Sequence, residues 1–199
     1  FFAGLSNKLD LVALTSVFGN VTLDNATRNA MVLAEILEQN IPVSRGFPKP
    51  LVQTPNPVSD YVHGDEGFGD IPARTPNAKE INIPADKYIC ELINANVGEI
   101  ILCPVGPLTN IAMALRYDPT IVSKVKSVVI MGGGVFSGGN VTDFAEANIW
   151  NDPHAADEVF SADWEVTVIG LDVTQKVICA HTEFSALVNK APIIGGFLE

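Results

Sequence analysis

Apolar runs of strand length alternate with segments of helical periodicity along almost the whole chain. Strands are predicted at residues 9–18, 41–44, 99–105, 126–131 and 165–171. Helices are predicted after a capping threonine at position 22, from Pro84, and at residues 111–116, 153–160 and 182–189. Such alternation favours right-handed βαβ units. We therefore predict one α/β domain over residues 1–199, with a mainly parallel, open Rossmann-like central sheet flanked by helices.

The composition excludes several classes of protein. A net charge of −11 and a pI near 4.6 argue against nucleic-acid binding, which needs clustered Lys and Arg. No apolar run approaches the roughly 20 residues that cross a bilayer, so we expect no membrane partner. Cys90, Cys103 and Cys179 are widely spaced and have apolar neighbours. They are predicted to be reduced core residues of a cytoplasmic protein.

Polar or glycine-rich loops follow four of the predicted strands. Ligands of parallel α/β sheets bind beyond the carboxyl ends of the strands, so these loops are expected to share one site. The four loops begin at Gly19-Asn20, Gly106-Pro-Leu-Thr-Asn110, Met131-Gly-Gly-Gly134 and Asp172.

The loop after Met131 is the most informative of the four. Glycines allow close approach of a ligand, and Asn140, Glu146 and Asn148 add hydrogen-bonding groups. On an extended segment Glu146 and Asn148 would point to the same face and could bind vicinal hydroxyls. The alternative is a pair of solvated loop residues. A dinucleotide loop is disfavoured, because the G-x-G-x-x-G spacing is missing.

Residues 45–83 are punctuated by prolines and glycines and show no periodicity. A connection of this length is either functional or mobile. It contains His63, in Val62-His-Gly-Asp-Glu-Gly. His63 could contact a heteroaromatic ligand or donate a proton near neutral pH, or it could be an ordinary surface histidine.

An ordered series of motifs resembles the inosine-uridine-preferring nucleoside hydrolases. The motifs are Asn20 with the residues that follow it, His63-Gly, Gly106-Pro-Leu-Thr-Asn110, Met131-Gly-Gly-Gly, Gly139-Asn-Val-Thr142, Ala145-Glu-Ala-Asn148 and Asn151-Asp-Pro153. The series covers nearly the whole chain, and its order makes the resemblance specific.

The resemblance implies hydrolysis of the N-glycosidic bond of ribonucleosides to ribose and free base, as part of nucleoside salvage. It further implies a Ca²⁺ ion that binds ribose hydroxyls and the attacking water, with the backbone carbonyl of Thr109 among its ligands. His63 would lie near the base. The substrate would be a small nucleoside, and the assembly a cytoplasmic homodimer or homotetramer.

The resemblance also assigns the sugar contacts. Asn140, Glu146 and Asn148 would hold ribose hydroxyls, while Asn20 and Met131 would line the rest of the sugar site. Carboxylate and amide oxygens around the ribose would stabilise the oxocarbenium-like cation formed as the base leaves.

The chain departs from the family pattern in one respect. The aspartate-rich opening motif would lie before Phe1, and a later His-Asp pair would lie after Glu199. We therefore expect a protein that is longer at both ends, a gap in the sheet of the 199-residue chain, and no tight Ca²⁺ binding or water activation by this chain alone. No catalytic acid or base is assigned within it. The alternative function is a non-catalytic scaffold that binds nucleosides or ribose.

Overall fold

The computed structural model describes residues 1–188 and 192–198, and within them the chain forms two small parallel sheets. The strands are β1 (Leu14–Thr15), β2 (Val43–Ser44), β3 (Ile101–Leu102), β4 (Ser127–Met131) and β5 (Val166–Ile169). β1 pairs with β2, and the second sheet has the order β3-β4-β5. All pairs are parallel, which confirms the predicted α/β class.

Helices connect the strands and cover the sheets. They are α1 (Phe2–Leu5), α2 (Leu23–Ile36), α3 (Asp60–His63), α4 (Ala85–Ala95), α5 (Thr109–Tyr117), α6 (Ala147–Asn151), α7 (Pro153–Ser161), α8 (Leu171–Thr174), α9 (His181–Val188) and α10 (Pro192–Leu198), with a 3₁₀ helix at Pro119–Ser123. In the described part of the chain, no helix combines the length and the apolar character needed to span a membrane.

Local sequence signals explain where the helices begin. The Thr22 side chain accepts a hydrogen bond from the Asn25 backbone N–H at 3.2 Å, which confirms the predicted cap of α2. The last predicted helix, 182–189, is observed as α9, and Asn189 lies outside the described residues.

The main core lies between the β3-β4-β5 sheet and helices α4, α5 and α7. Its most buried members come from both layers: Ile93, Ala112, Ile121, Val128, Ile130 and Val159. Val128 and Ile130 alternate with half-buried neighbours along β4, as expected for a strand whose two faces differ in burial. This packing places the carboxyl ends of β4 and β5 side by side.

The predicted strand 9–18 is observed only at Leu14–Thr15. The N–H groups of Leu14, Ser16 and Phe18 bond to β2 and its extension. Backbone groups alternate in direction along a strand, so the N–H groups of Thr15 and Val17 point to the opposite side. That side has no neighbouring strand among the described residues, which is why the pairing there is incomplete.

An apolar cleft separates β1 from β3 and has a volume of about 460 Å³. Residues 10–18 form one wall, residues 100–107 form the other, and Ala26, Ala30 and Ile89 are among the helical residues that line it. The walls converge at their carboxyl ends, where the Asn110 amide donates to the Ser16 carbonyl at 2.9 Å. Among the described residues no strand lies between the two walls, and the gap expected from the sequence stays a prediction.

The cysteine prediction is correct for one residue and wrong for two. Cys90 is buried in the core, but Cys103 and Cys179 are exposed. Cys103 lies on the β3 wall of the cleft. Its sequence neighbours are apolar, but among the described residues no second layer of side chains packs over this wall. Apolar neighbours in the sequence therefore do not predict burial for a residue at the edge of an open cleft.

Thiol titration tests this arrangement. Burial, with a smaller contribution from Asp118, raises the pKa of Cys90 to about 11, so its thiolate is scarce at pH 8. Two thiols of the native chain are expected to react rapidly with a disulfide reagent at pH 8, and the third only after denaturation. Cys103→Ser should leave one fast thiol. Rapid reaction of three thiols in the native chain would contradict the buried position of Cys90.

Candidate active site

Met131 and Asn148 form the base of a polar site at the carboxyl end of β4. Met131 is the last residue of the strand, and Asn148 lies in the first turn of α6. The Asn148 side-chain amide donates to the Met131 carbonyl at 3.0 Å and lies 3.3 Å from its sulfur. This contact uses the amide N–H₂ group, so the side-chain oxygen of Asn148 remains to accept from a ligand.

Glu146 is the N-cap of α6 and organises the site. Its Oε2 accepts three backbone N–H bonds, from Gly133 at 2.9 Å, Asn148 at 3.0 Å and Ile149 at 3.2 Å. Gly133 has a φ of +71°, a conformation that glycine adopts readily. Within the described residues Oε1 accepts no hydrogen bond, so one carboxylate oxygen is left for a ligand.

The extended geometry predicted for Glu146 and Asn148 is wrong, because α6 begins between them. The two groups are nevertheless neighbours, since the cap bond brings the Glu146 carboxylate to the Asn148 backbone. Their exposures are 3% and 6%, which contradicts the alternative of two solvated loop residues.

Asn140 completes this group from the exposed side. Its Oδ1 accepts from the Ala147 backbone N–H at 2.9 Å, which holds the Asn140 side chain at the start of α6. We call Met131, Asn140, Glu146 and Asn148 the β4 cluster. Four of the sequence-predicted site residues are thus brought together by one loop and one helix start.

Asn20 faces the same cavity as Asn148. Both residues line the 460 Å³ cleft, Asn20 from the β1 side and Asn148 from the β4 side. Asn20 is exposed, and its carbonyl accepts from the Ser59 backbone N–H at 3.0 Å. A ligand at the carboxyl end of the cleft would therefore meet polar groups from both walls.

His63 is the last residue of α3. The segment that contains it begins at Ser59, whose backbone N–H is bonded to Asn20. The Ser59 N–H bond to Asn20 fixes one end of this segment, and the Gly69 N–H donates to the His63 carbonyl at 2.7 Å. Asn29 holds the segment from α2, since its side-chain amide donates to the Glu66 carbonyl at 2.7 Å. The long connection is therefore anchored around His63, and His63 is half-buried.

Thr109 is fully buried at the start of α5, and its side chain does not face the cleft. Its hydroxyl donates to Asp152 Oδ2 at 2.6 Å. Asp152 also accepts from the backbone N–H groups of Leu51 at 3.0 Å and Ala155 at 3.0 Å. The hydroxyl of Thr109 thus takes part in a hydrogen-bond network that stabilises the fold. The metal ligand predicted for Thr109 is a different group, its backbone carbonyl.

Three residues that shape the site stand in motifs noted in the sequence but received no individual role there. Asp152 caps α7, and its position before Pro153 is a recognisable start signal. Asn110 bonds both Ser16 and Phe47, and no local signal indicates these distant contacts. Asp172 accepts from two backbone N–H groups of the glycine-rich loop, although only its position after a strand was noted.

The charge of Asp172 is stabilised by these bonds. Desolvation raises its pKa, but the hydrogen bonds it accepts, led by those from the N–H groups of Val135 and Phe136, together outweigh this effect and bring the pKa below the ordinary value. Asp172 is therefore ionised at neutral pH and accepts through both oxygens.

The fold and the site define an α/β protein with an amide and carboxylate cluster at the carboxyl edge of a parallel sheet. The family model described as "Inosine-uridine preferring nucleoside hydrolase" matches residues 1–197. The chain belongs to this family, which confirms the resemblance predicted from its motifs.

Individual relatives agree with this placement. The chain is 40% identical over 183 residues to "Uridine nucleosidase 1" of Arabidopsis thaliana and 41% identical over 172 residues to the "Pyrimidine-specific ribonucleoside hydrolase RihB" of Escherichia coli. These matches cover 92% and 86% of the chain and 54% of each relative. A solved "Plant nucleoside hydrolase", PpNRh1, superposes with a TM-score of 0.91 at 36% identity, covering 99% of the chain and 65% of that structure. The chain thus spans about half the length of these curated relatives.

The anchoring of the His63 segment can be tested with Asn29→Ala. Asn29 is 7% exposed, and the change removes its bonds to Glu66 and Arg28. We expect faster proteolytic cleavage within residues 59–71 and a loss of stability of about 1–3 kcal/mol. Asn7→Ala, at an exposed position, is the matched control. Equal cleavage rates for the two variants would contradict the anchoring role.

Proposed function

We propose that the protein hydrolyses the N-glycosidic bond of ribonucleosides to ribose and free base. The observation that carries the proposal is the β4 cluster: a buried carboxylate and a buried amide, each with one side-chain oxygen that accepts no bond from the described residues, beside an exposed amide in a member of this family. Such groups suit the vicinal hydroxyls of a pentose.

The reaction breaks the bond between C1′ of the ribose and a nitrogen of the base. The bonding electrons leave with the base, which gains a proton, and the oxygen of water bonds to C1′ after losing a proton. Positive charge develops on the sugar before water attacks. Fixed negative or dipolar oxygens lower the free energy of such a transition state because they need no reorganisation.

Glu146 and Asn148 have the geometry for this stabilising role. Oε2 of Glu146 is held by three N–H bonds, so Oε1 has a fixed direction from which to accept a ribose hydroxyl. The bond to Met131 similarly fixes the amide plane of Asn148. Asn140 would contact the sugar from the exposed side, Asn20 from the β1 wall, and His63 would lie near the base.

A divalent metal is a further part of the proposal, since the family is generally metal-dependent. The residues present do not by themselves fit a Ca²⁺ ion, which takes six to eight oxygen ligands. The described residues contain no group of three or more His, Cys, Asp or Glu side chains placed to hold a metal. Thr109 would offer one carbonyl, and its neighbour Asp152 is already bonded to three donors.

The names of the curated relatives support a pyrimidine ribonucleoside, uridine first, as the substrate. We also propose a cytoplasmic location, a homodimer or homotetramer, and a single domain over residues 1–199.

The absence of a metal-binding group among the described residues favours one alternative, a scaffold that binds nucleosides or ribose without releasing the base.

Calcium titration tests the fit of the metal. A chain of these 199 residues is expected to bind Ca²⁺ with a Kd no tighter than about 1 mM, the weak end of natural sites, because it offers too few oxygen ligands. Isothermal titration calorimetry measures this directly. A micromolar Kd would show that the 199 residues contain a complete site.

Substitutions in the β4 cluster test catalysis in the protein expressed at its natural length. Glu146→Gln keeps the size and one side-chain acceptor oxygen but removes the charge, and Asn148→Ala removes the amide. Each should lower kcat/KM for uridine by about 100–1000-fold, measured as release of uracil and reducing sugar. Glu165→Gln, exposed before β5 at the opposite edge, is the matched control.

Two outcomes would change the assignment. Unchanged kinetics in Glu146→Gln and Asn148→Ala would remove these residues from the site. Binding of uridine or ribose by the wild-type protein, with no base released in the presence of Ca²⁺, would replace hydrolysis by the scaffold function.

A further inference from the structure

The two large apolar side chains of the glycine-rich loop after β4, residues 132–139, do not hold it in place. Val135 is 69% exposed and Phe136 is 93% exposed, so neither packs into a core. Five glycines lie in this stretch, at positions 132, 133, 134, 138 and 139. Glycine loses more backbone entropy on ordering than any other residue. The defined shape of the loop must therefore come from hydrogen bonds with neighbouring elements.

Those bonds come from the end of β5 and the start of α8. The Leu171 N–H donates to the Gly133 carbonyl at 2.8 Å. Asp172 accepts two further N–H groups of the loop, that of Val135 on Oδ2 and that of Phe136 on Oδ1, both at 2.8 Å. Of the described side chains outside the loop, Asp172 is the one that bonds two of its N–H groups.

The same loop leads directly to the β4 cluster. The Gly133 N–H, one residue beyond the start of the loop, donates to Glu146 Oε2. At the other end of the loop, Gly139 donates to the Asp143 carbonyl at 3.1 Å, and Asn140 donates to the Ala145 carbonyl at 3.2 Å. A displacement of the loop would therefore move the Asn140 side chain and remove one of the three bonds that orient the Glu146 carboxylate.

We propose that Asp172 is a positioning residue for the β4 cluster: its two carboxylate oxygens fix the glycine-rich loop, and the loop fixes Asn140 and Glu146. The inference rests on the proposed function, because it assigns Asp172 a part in sugar binding without contact to the sugar. A carboxylate is needed for this task. An asparagine would offer one oxygen and place an N–H₂ group against the second backbone N–H.

The test compares Asp172→Asn with wild type in the protein at its natural length, with Asp157→Asn, at an exposed position on α7, as the control. Kinetics with uridine, thermal unfolding and hydrogen–deuterium exchange are measured on all three. A loss of kcat of about 10–100-fold is expected for Asp172→Asn, because small displacements of substrate-holding groups have effects of this size. Amide exchange should increase within residues 132–140 and remain unchanged in β4 itself.

The outcomes separate this inference from the proposed function. If wild type releases uracil and Asp172→Asn retains wild-type kcat and KM, the positioning role is overturned, even if the melting temperature falls. If wild type releases no base from uridine, cytidine or inosine, the proposed function fails, and exchange in residues 132–140 decides the inference. Equal exchange in wild type and Asp172→Asn would then overturn it. Asp172→Ala repeats the comparison should the asparagine variant fold poorly.

Discussion

The arrangement of the site depends on one carboxylate oxygen, Oε2 of Glu146, and its three backbone N–H donors. Two of these donors belong to the first turn of α6, and the third belongs to the loop after β4. The bonds therefore join a strand end to a helix start that lies 13 residues further along the chain. Hydrogen bonds to a charged acceptor are among the stronger ones in proteins, and here they also satisfy helix N–H groups that would otherwise have no partner. One interaction thus serves the fold, and within the described residues it leaves the second oxygen of Glu146 without a donor.

Patterns local in sequence were sufficient to predict most of this architecture. The alternation of strands and helices can be recognised within short windows of sequence. It predicted the parallel sheets that are observed. The glycine-rich loop and the residues Asn140, Glu146 and Asn148 were singled out from residue type and spacing, which left solvated loop residues as an alternative, and the family resemblance then assigned them to the ribose. The reason given for their proximity was incomplete, because a helix start rather than an extended segment brings Glu146 to Asn148. Negative charge is favourable at a helix N-terminus, but glutamate is not among the usual N-cap residues, so the sequence signal for this helix start is weak.

Features that depend on distant parts of the chain could not be predicted in the same way. Asp172 follows β5 and bonds a loop 36 residues earlier, and Asp152 bonds Leu51 across 101 positions. Neither contact leaves a periodic pattern, since each requires only one acceptor in the correct place after folding. The exposed position of Cys103 has a similar origin. Its neighbours are apolar because they line a cleft, and apolar flanks do not distinguish a cleft wall from a closed core.

The proposed hydrolysis has two separate requirements. Stabilising a developing sugar cation requires oriented oxygens, and this is the role proposed for the β4 cluster. Activating water requires a base or a cation with several oxygen ligands, and the described residues contain no group of three or more His, Cys, Asp or Glu side chains that could hold such a cation. The cleft between β1 and β3 ends beside Asn20 and Asn148, and its walls carry backbone groups of Thr15 and Val17 directed away from their paired strand. An element that paired with these sheet edges would therefore place its own carboxyl-terminal side chains next to the residues proposed to hold the sugar, where the proposed reaction requires water to attack.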